Sequence, residues 1–186
     1  MARTVVYESG LASWDVGMGL GRPLSAGDEM LVRSFIPALR RFAWGLCHNT
    51  DLADDLVQDC LERAVLHWQT RRADGNLRAW LFTILRNEFI NDRRRLARHG
   101  ASVSLDDLPI DPVVEGGQER SLQVSEVLSA VDRLSADDRS LMLLIAVEEF
   151  SYQEAADVLG IPIGTVMSRL SRARERLRSM LKERVR

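Results

Sequence analysis

Thr165, Ser168, Arg169, Arg172, Arg174 and Arg176 crowd the last turns of a 186-residue chain. Hydroxyls and guanidinium forks at helical spacing are the chemistry of nucleic-acid recognition, because arginine reaches base edges and phosphates in a forked, two-bond geometry. Thr165, Ser168 and Arg169 suit base edges, with Arg172 one turn beyond Ser168. Arg174, Arg176 and Arg178 suit phosphates. A second set lies upstream. Arg93, Arg94 and Arg95 end a stretch that also offers Arg86, Asn87 and Asn91, and Trp68, Arg71, Arg72 and Asn76 lie at or in the loop TRRADGN before it. Positive charge beside an aromatic platform is what single-stranded nucleic acid takes. A core tryptophan with a solvated arginine run is the plain alternative.

No enzyme chemistry competes with these sets. Neither a phosphate-binding glycine loop nor a catalytic triad is present, and no acid–base pair is isolated by spacing. Cys47–His48 and Cys60–His67 lack zinc-type spacing, and both cysteines take apolar helical positions. No metal and no cofactor is therefore expected. Two cysteines are too few for a disulfide scaffold and read as reduced thiols. No apolar run reaches the length of a membrane helix, and MARTVVYESG does not read as a secretory signal, so a cytoplasmic location is expected.

The elements that must position these residues are all helical. Residues 1–27 are rich in Gly and Ser and read as a flexible lead. Helical spacing then runs over 28–97. Pro37 suits a first turn, which predicts a short helix over about 28–34 and another over about 37–48. Asn49 and Thr50 are good caps for NTDLADDLVQDCLERAVLHW, and a long helix follows the Gly75–Asn76 turn signal. Residues 98–120 hold two prolines and three glycines without a helical period, and read as a linker. Helices resume over 121–186. VLSAVDRL is one, and Ser135 caps SADDRSLMLLIAVEEF as the next. Ser151 and Glu154 make a capping box, Gly160 ends that short helix, and Pro162 opens the turn into a last helix over about 164–181. The expected fold is all-α: two small helical domains joined by a flexible linker, the second containing a helix-turn-helix.

The formal net charge of -2 hides segregation. Residues 163–186 hold eight basic and two acidic side chains, net +6, and 86–98 hold five against two, net +3. Residues 134–162 hold one basic and six acidic side chains, net -5. Of the 25 basic residues all but Lys182 are arginine. Near-neutrality is a cancellation of opposed patches, which leaves local basic faces free to meet nucleic acid.

Three strings together resemble a bacterial sigma factor of the extracytoplasmic-function (ECF) group, in the sigma-70 family. They are ADDLVQDCLERA (53–64), LRAWLFTILRNEFINDRRR (77–95) and LSADDRSLMLLIAVEEFSYQEAADVLGIPIGTVMSRLSRARERL (134–177). The resemblance implies a region 2-like domain over 28–97 and a region 4-like domain over 121–186. It implies that Asp54, Asp55, Gln58 and Asp59 meet the clamp helices of the largest subunit of core RNA polymerase, and that the second domain sits on the flap. It places residues 69–76, Arg86, Asn87, Asn91 and Arg93–Arg95 at the minus-ten strand, with His67 and Trp68 where aromatics begin that loop. Thr165, Ser168, Arg169, Arg172 and Arg174 fall at the duplex minus-thirty-five element. The acidic linker residues Asp106, Asp107, Asp111 and Glu115 suit a basic polymerase channel. The implied partners are core RNA polymerase, promoter DNA and an anti-sigma factor, in a stress-response transcription role without enzymatic activity. Two alternatives are a stand-alone helix-turn-helix regulator and a sigma-like module that titrates an anti-sigma factor.

Overall fold

The structure is a computed structural model that describes residues 24–72, 74–98 and 127–184. Most of the lead assigned to 1–27 and nearly all of the linker assigned to 98–120 lie outside the described residues.

Three helices build the N-terminal half: α1 (Ala26–Cys47), α2 (Thr50–Leu66) and α3 (Leu77–Arg98). Ser25 starts α1 by accepting from the Asp28 N–H at 3.1 Å. The expected break at Pro37 is absent, because α1 runs through it. A proline inside a helix costs about 3 kcal/mol. Leu39, Phe42 and Leu46 on the same helix are fully buried, and at about 1.5–3 kcal/mol each they outweigh that cost. Only His48 and Asn49 join α1 to α2. His48 takes the left-handed conformation (φ 49°), and the Asn49 side chain accepts from the Leu52 N–H at 2.9 Å. A single 3-10 turn, Trp68–Thr70, leaves α2, and Asn76 caps α3 through the Ala79 N–H at 3.1 Å.

The C-terminal half holds a short helical segment over 127–132 (α4), then α5 (Ala136–Ala146), α6 (Tyr152–Leu159) and α7 (Ile163–Arg184). The expected caps at Ser135, Ser151–Glu154 and Gly160 are all in place, with Gly160 at φ 65°. Val166, Leu170 and Ala173 bury one face of α7, as do Ala155, Ala156 and Leu159 of α6. One expectation fails. Helix α5 stops at Ala146 rather than running to Phe150. Glu149 turns left-handed (φ 54°), and the Phe150 N–H donates to the Leu144 carbonyl at 2.9 Å. The turn aims Glu148 and Phe150 away from the C-terminal half.

They enter the N-terminal half. The Phe150 ring meets Phe82 of α3 at 4.9 Å between centroids, and the Arg78 guanidinium lies 4.2 Å from the Phe150 ring centroid. Glu148, with its side chain fully buried, receives two bonds from Arg41 at 3.2 and 2.9 Å, and Arg78 donates to its carbonyl. Arg139 of α5 donates to the Leu46 carbonyl at 2.7 Å. The buried apolar residues of both halves form one continuous cluster. Two cores that would each be small are thus merged into one.

Candidate nucleic-acid interface

Helix α7 sorts its side chains into four lanes. The buried lane is Val166, Leu170 and Ala173. Directly opposite, and exposed, stand Gly164, Ser168, Ser171, Arg172 and Glu175. Arg172 is laid along this outer lane by its own Nε–H, which donates to the Ser168 carbonyl at 3.3 Å. Arg174 is exposed on one flank with Met167, whereas Thr165, Arg169 and Arg176 line the other. Sequence spacing therefore names six positions that the helix divides. Ser168 faces outward, Arg172 stands exposed at the border between the outer lane and the flank toward α5, Arg174 lies to one side, and Thr165, Arg169 and Arg176 turn toward α5. Met167 and Ser171 share the open surface; Met167 has no hydrogen-bond donor to mark it, whereas Ser171 carries the same hydroxyl as Ser168. Their spacing from Ser168 and Arg172 was the available signal.

That turned flank is occupied. Asp137 and Asp138 stand in the first turn of α5, where a helix N-terminus favours anions. Arg169 Nη1 lies 3.5 Å from Asp137 Oδ2, and Arg176 Nη1 lies 3.3 Å from Asp138 Oδ2. With Ser135 and Arg172 they line a polar cleft of about 230 Å³.

The N-terminal set is likewise only partly open. Asn87, Asn91, Arg94 and Arg95 are exposed along one face of α3, and Arg95 pairs with Asp92 at 3.1 Å. Arg93 leans over the Phe89 ring at 5.7 Å. Trp68 is not an open platform: it is 9% exposed, edge-on to Trp80 and covered by the Arg71 guanidinium 4.6 Å from its ring centroid. The alternative of a core tryptophan is the one the fold adopts, because Trp68 follows the apolar spacing of α2 into the core. Arg72 is exposed. Asn76 is occupied at both ends, since its Oδ1 caps α3 and its Nδ2 donates to Glu154 of α6 at 2.8 Å. Arg86 is half-buried and bonds Asp137 of α5. Four polar residues from α1 to the start of α6 that join the two halves, Arg41, Arg78, Glu148 and Glu154, carried no site signal in the sequence, since nothing local marks a pair about 70–110 residues apart.

The third candidate surface is the acidic face of α2. Asp55 and Asp59 are exposed, Asp54 pairs with Arg40 at 2.8 Å, and Gln58 donates to Glu62 at 3.1 Å. Partial burial, followed by the neighbouring charges of Asp92, Glu62 and Asp55, pushes the Asp59 carboxyl above its usual range. Burial also raises Glu88 on α3, although Arg63 lies 2.8 Å away. This face is crowded with negative charge that a basic partner would relieve.

Among the described residues no group of His, Cys, Asp and Glu could hold a metal ion, and no helix is long and apolar enough to cross a membrane.

Two family models match the two halves: the "Sigma2 domain of PhyR" over residues 32–86 and "Sigma-70, region 4" over 125–177. The ECF RNA polymerase sigma factor EcfG of Rhodopseudomonas palustris (strain TIE-1) is 40% identical over 160 residues, which cover 84% of this chain and 85% of that one. Among solved structures, the sigma factor RpoE in complex with the anti-sigma factor NepR, from Bartonella quintana, is similar at 40% identity and a TM-score of 0.69. That match covers 83% of this chain and 96% of the other. CnrH, solved with the cytosolic domain of CnrY, is similar at 28% identity and a TM-score of 0.61, over 83% and 87% of the two chains.

Proposed function

Because the chain belongs to the ECF group of sigma-70-family factors, with a region 2 and a region 4 domain, we propose that it binds bacterial core RNA polymerase and directs initiation at promoters carrying its own minus-ten and minus-thirty-five elements. Sigma factors are not enzymes, and polymerisation belongs to the partner. The proposed division is a region 2 domain over 28–97, a linker over 98–120 and a region 4 domain over 121–186.

What supports this reading is the presence, in one chain, of an arginine-bearing last helix of a helix-turn-helix, α7, and a separate basic, asparagine-bearing helix, α3. Ser168 and Arg172 on the outer lane of α7 are the proposed readers of the minus-thirty-five duplex, with Arg174 on phosphate. Thr165, Arg169 and Arg176 join them once the flank facing α5 is released. Asn87, Asn91, Arg94 and Arg95 on the open face of α3, with Arg72 in the preceding loop, are the proposed contacts to the minus-ten strand. Arg71, Asn76, Arg86 and Arg93 belong to the same proposed surface, each after giving up a present contact. Asp54, Asp55, Gln58 and Asp59 are the proposed polymerase contacts. An anti-sigma factor is a further proposed partner, supported by the anti-sigma complex of the similar Bartonella protein.

The test is transcription reconstituted from the purified chain and bacterial core enzyme on genomic fragments. Start-site-specific RNA that depends on the chain is the expected result. Tight operator binding without polymerase, and no such RNA, would sink the proposal in favour of a stand-alone regulator.

A further inference from the structure

Asp137 sits between the two proposed DNA surfaces and touches both. One carboxylate oxygen bonds Arg86 of α3, and the other lies 3.5 Å from Arg169 of α7. We propose that this carboxylate is an internal stand-in for a DNA phosphate, which latches the free chain in a closed, self-inhibited form by holding one arginine from each DNA surface. The proposal rests on the promoter reading above, since it assigns Arg86 and Arg169 to DNA.

The chemistry supports the substitution. A carboxylate offers arginine the same planar pair of acceptors that a phosphate does, and it carries the same sign of charge. Asp137 and Asp138 sit in the first turn of α5, at the positive end of the helix dipole. They confront Arg169, Arg172 and Arg176 across one cleft, so the basic flank of α7 is met by acid before any DNA arrives. Arg86 has been taken from water: its side chain is only 14% exposed, and its Nε finds no hydrogen-bond partner. A buried donor left unpaired is costly, so the contact at its other nitrogen is made at a sacrifice that relief by DNA would end. The rest of the closed interface is apolar around Phe82 and Phe150 and polar at Glu148, which Arg41 and Arg78 hold, and its one other contact to a proposed DNA residue named above is the neutral Asn76 amide on Glu154. The charge contact to Asp137 is thus the part of the interface that DNA phosphates compete for directly.

The test uses the full chain and Asp137→Asn, which keeps the shape and the helix start but removes the charge. Asp157→Asn is the control, because Asp157 is an exposed acid of α6 bonded to Gln153 rather than to any arginine of the cleft. Binding is read by anisotropy with a fluorescein-labelled duplex from a promoter that the wild type transcribes with core enzyme. Spacing of the halves is read by energy transfer between dyes on Glu62→Cys and Ser179→Cys. Asp137→Asn is expected to bind duplex about two- to fivefold tighter than wild type, the range of a half-exposed charge pair, and to show lower transfer, while Asp157→Asn changes neither. Equal binding and equal transfer for wild type and Asp137→Asn would overturn the latch, as would an equal gain from Asp157→Asn. Failure of the wild type to initiate with core enzyme would instead overturn the promoter reading, and the dye distances would still judge the latch.

Discussion

Gly45 of α1 faces Leu143 of α5 across the junction of the halves so closely that a Cβ at position 45 would stand 2.7 Å from Leu143 Cδ2. The three atoms it would meet first all belong to Leu143. A glycine inside a helix costs about 0.5–1 kcal/mol relative to alanine, so its place here follows from the other half rather than from α1. Gly45→Leu should drive the halves apart while leaving α1 helical. Small-angle scattering should show a larger radius of gyration, with unchanged helical content by circular dichroism. An unchanged radius would mean that the junction yields elsewhere.

Glu148 is the buried acid of the junction, as Arg139 is a buried base. Glu148→Gln removes its pairing with Arg41, which is itself 57% exposed. That exposure places the loss at about 1–2 kcal/mol, below the 3–5 kcal/mol of a fully buried pair. Urea unfolding should show the decrease, and Arg41→Ala should show a similar one. A double variant no worse than either single one would establish the coupling.

Acidity should act through Asp59 and Glu88. Both carboxyls are raised in the folded chain, so the folded state binds protons more readily than the unfolded one there. Their contribution is most favourable below the ordinary carboxylate range and is lost as pH rises through the raised values. Asp59→Asn should therefore stabilise the chain at neutral pH and flatten that stretch of the stability curve. Denaturation midpoints measured from pH 4 upward would decide, and a variant that lost stability at pH 7 would contradict the assignment. Where a basic partner docks on α2, its binding should weaken in the same variant.

On the proposed duplex surface, Arg172→Ala should cost of order 1–3 kcal/mol of discrimination at one base pair, because its side chain already lies on the outer lane of α7. Arg174→Ala should weaken binding evenly across sequences and reduce its salt dependence. A competition assay over promoter variants separates the two. Identical profiles would remove the distinction between reading and positioning.

Asn87→Ala should impair strand separation more than duplex docking. Permanganate reactivity of unpaired thymines in complexes with core enzyme reads the first, and a gel shift of the complex reads the second. Equal thymine reactivity for wild type and variant would take Asn87 out of the minus-ten surface.

Much of this is legible in the amino-acid sequence. Asn49, Ser135, the Ser151–Glu154 box and Gly160 mark helix ends through contacts three residues long, so the chain states them locally. The helix-turn-helix and the apolar lane of α7 follow from spacing alone. What was not legible depends on distance along the chain. Phe82 and Phe150 look like ordinary core positions of separate domains, since an apolar residue does not say which core it joins. Pro37 reads as a break because the burial that overrides it comes from α2 and α3. Trp68 reads equally as platform or core, and only the arrival of Trp80 and Arg71 decides. The arginines of α7 keep their residue types whether they face solvent or Asp137.

The shared core has a consequence for making hybrids. Chains of two recognition modules invite exchange of one half for that of a relative, as though the parts were interchangeable cartridges. Here such a graft would bring together faces shaped for absent mates. The Gly45 hollow would meet some other residue than Leu143, and the Arg78 and Phe82 seat would lack Glu148 and Phe150. A transplanted C-terminal half must travel with those counterparts rewritten in its host, or the hybrid will expose apolar surface and precipitate before its promoter preference can be measured.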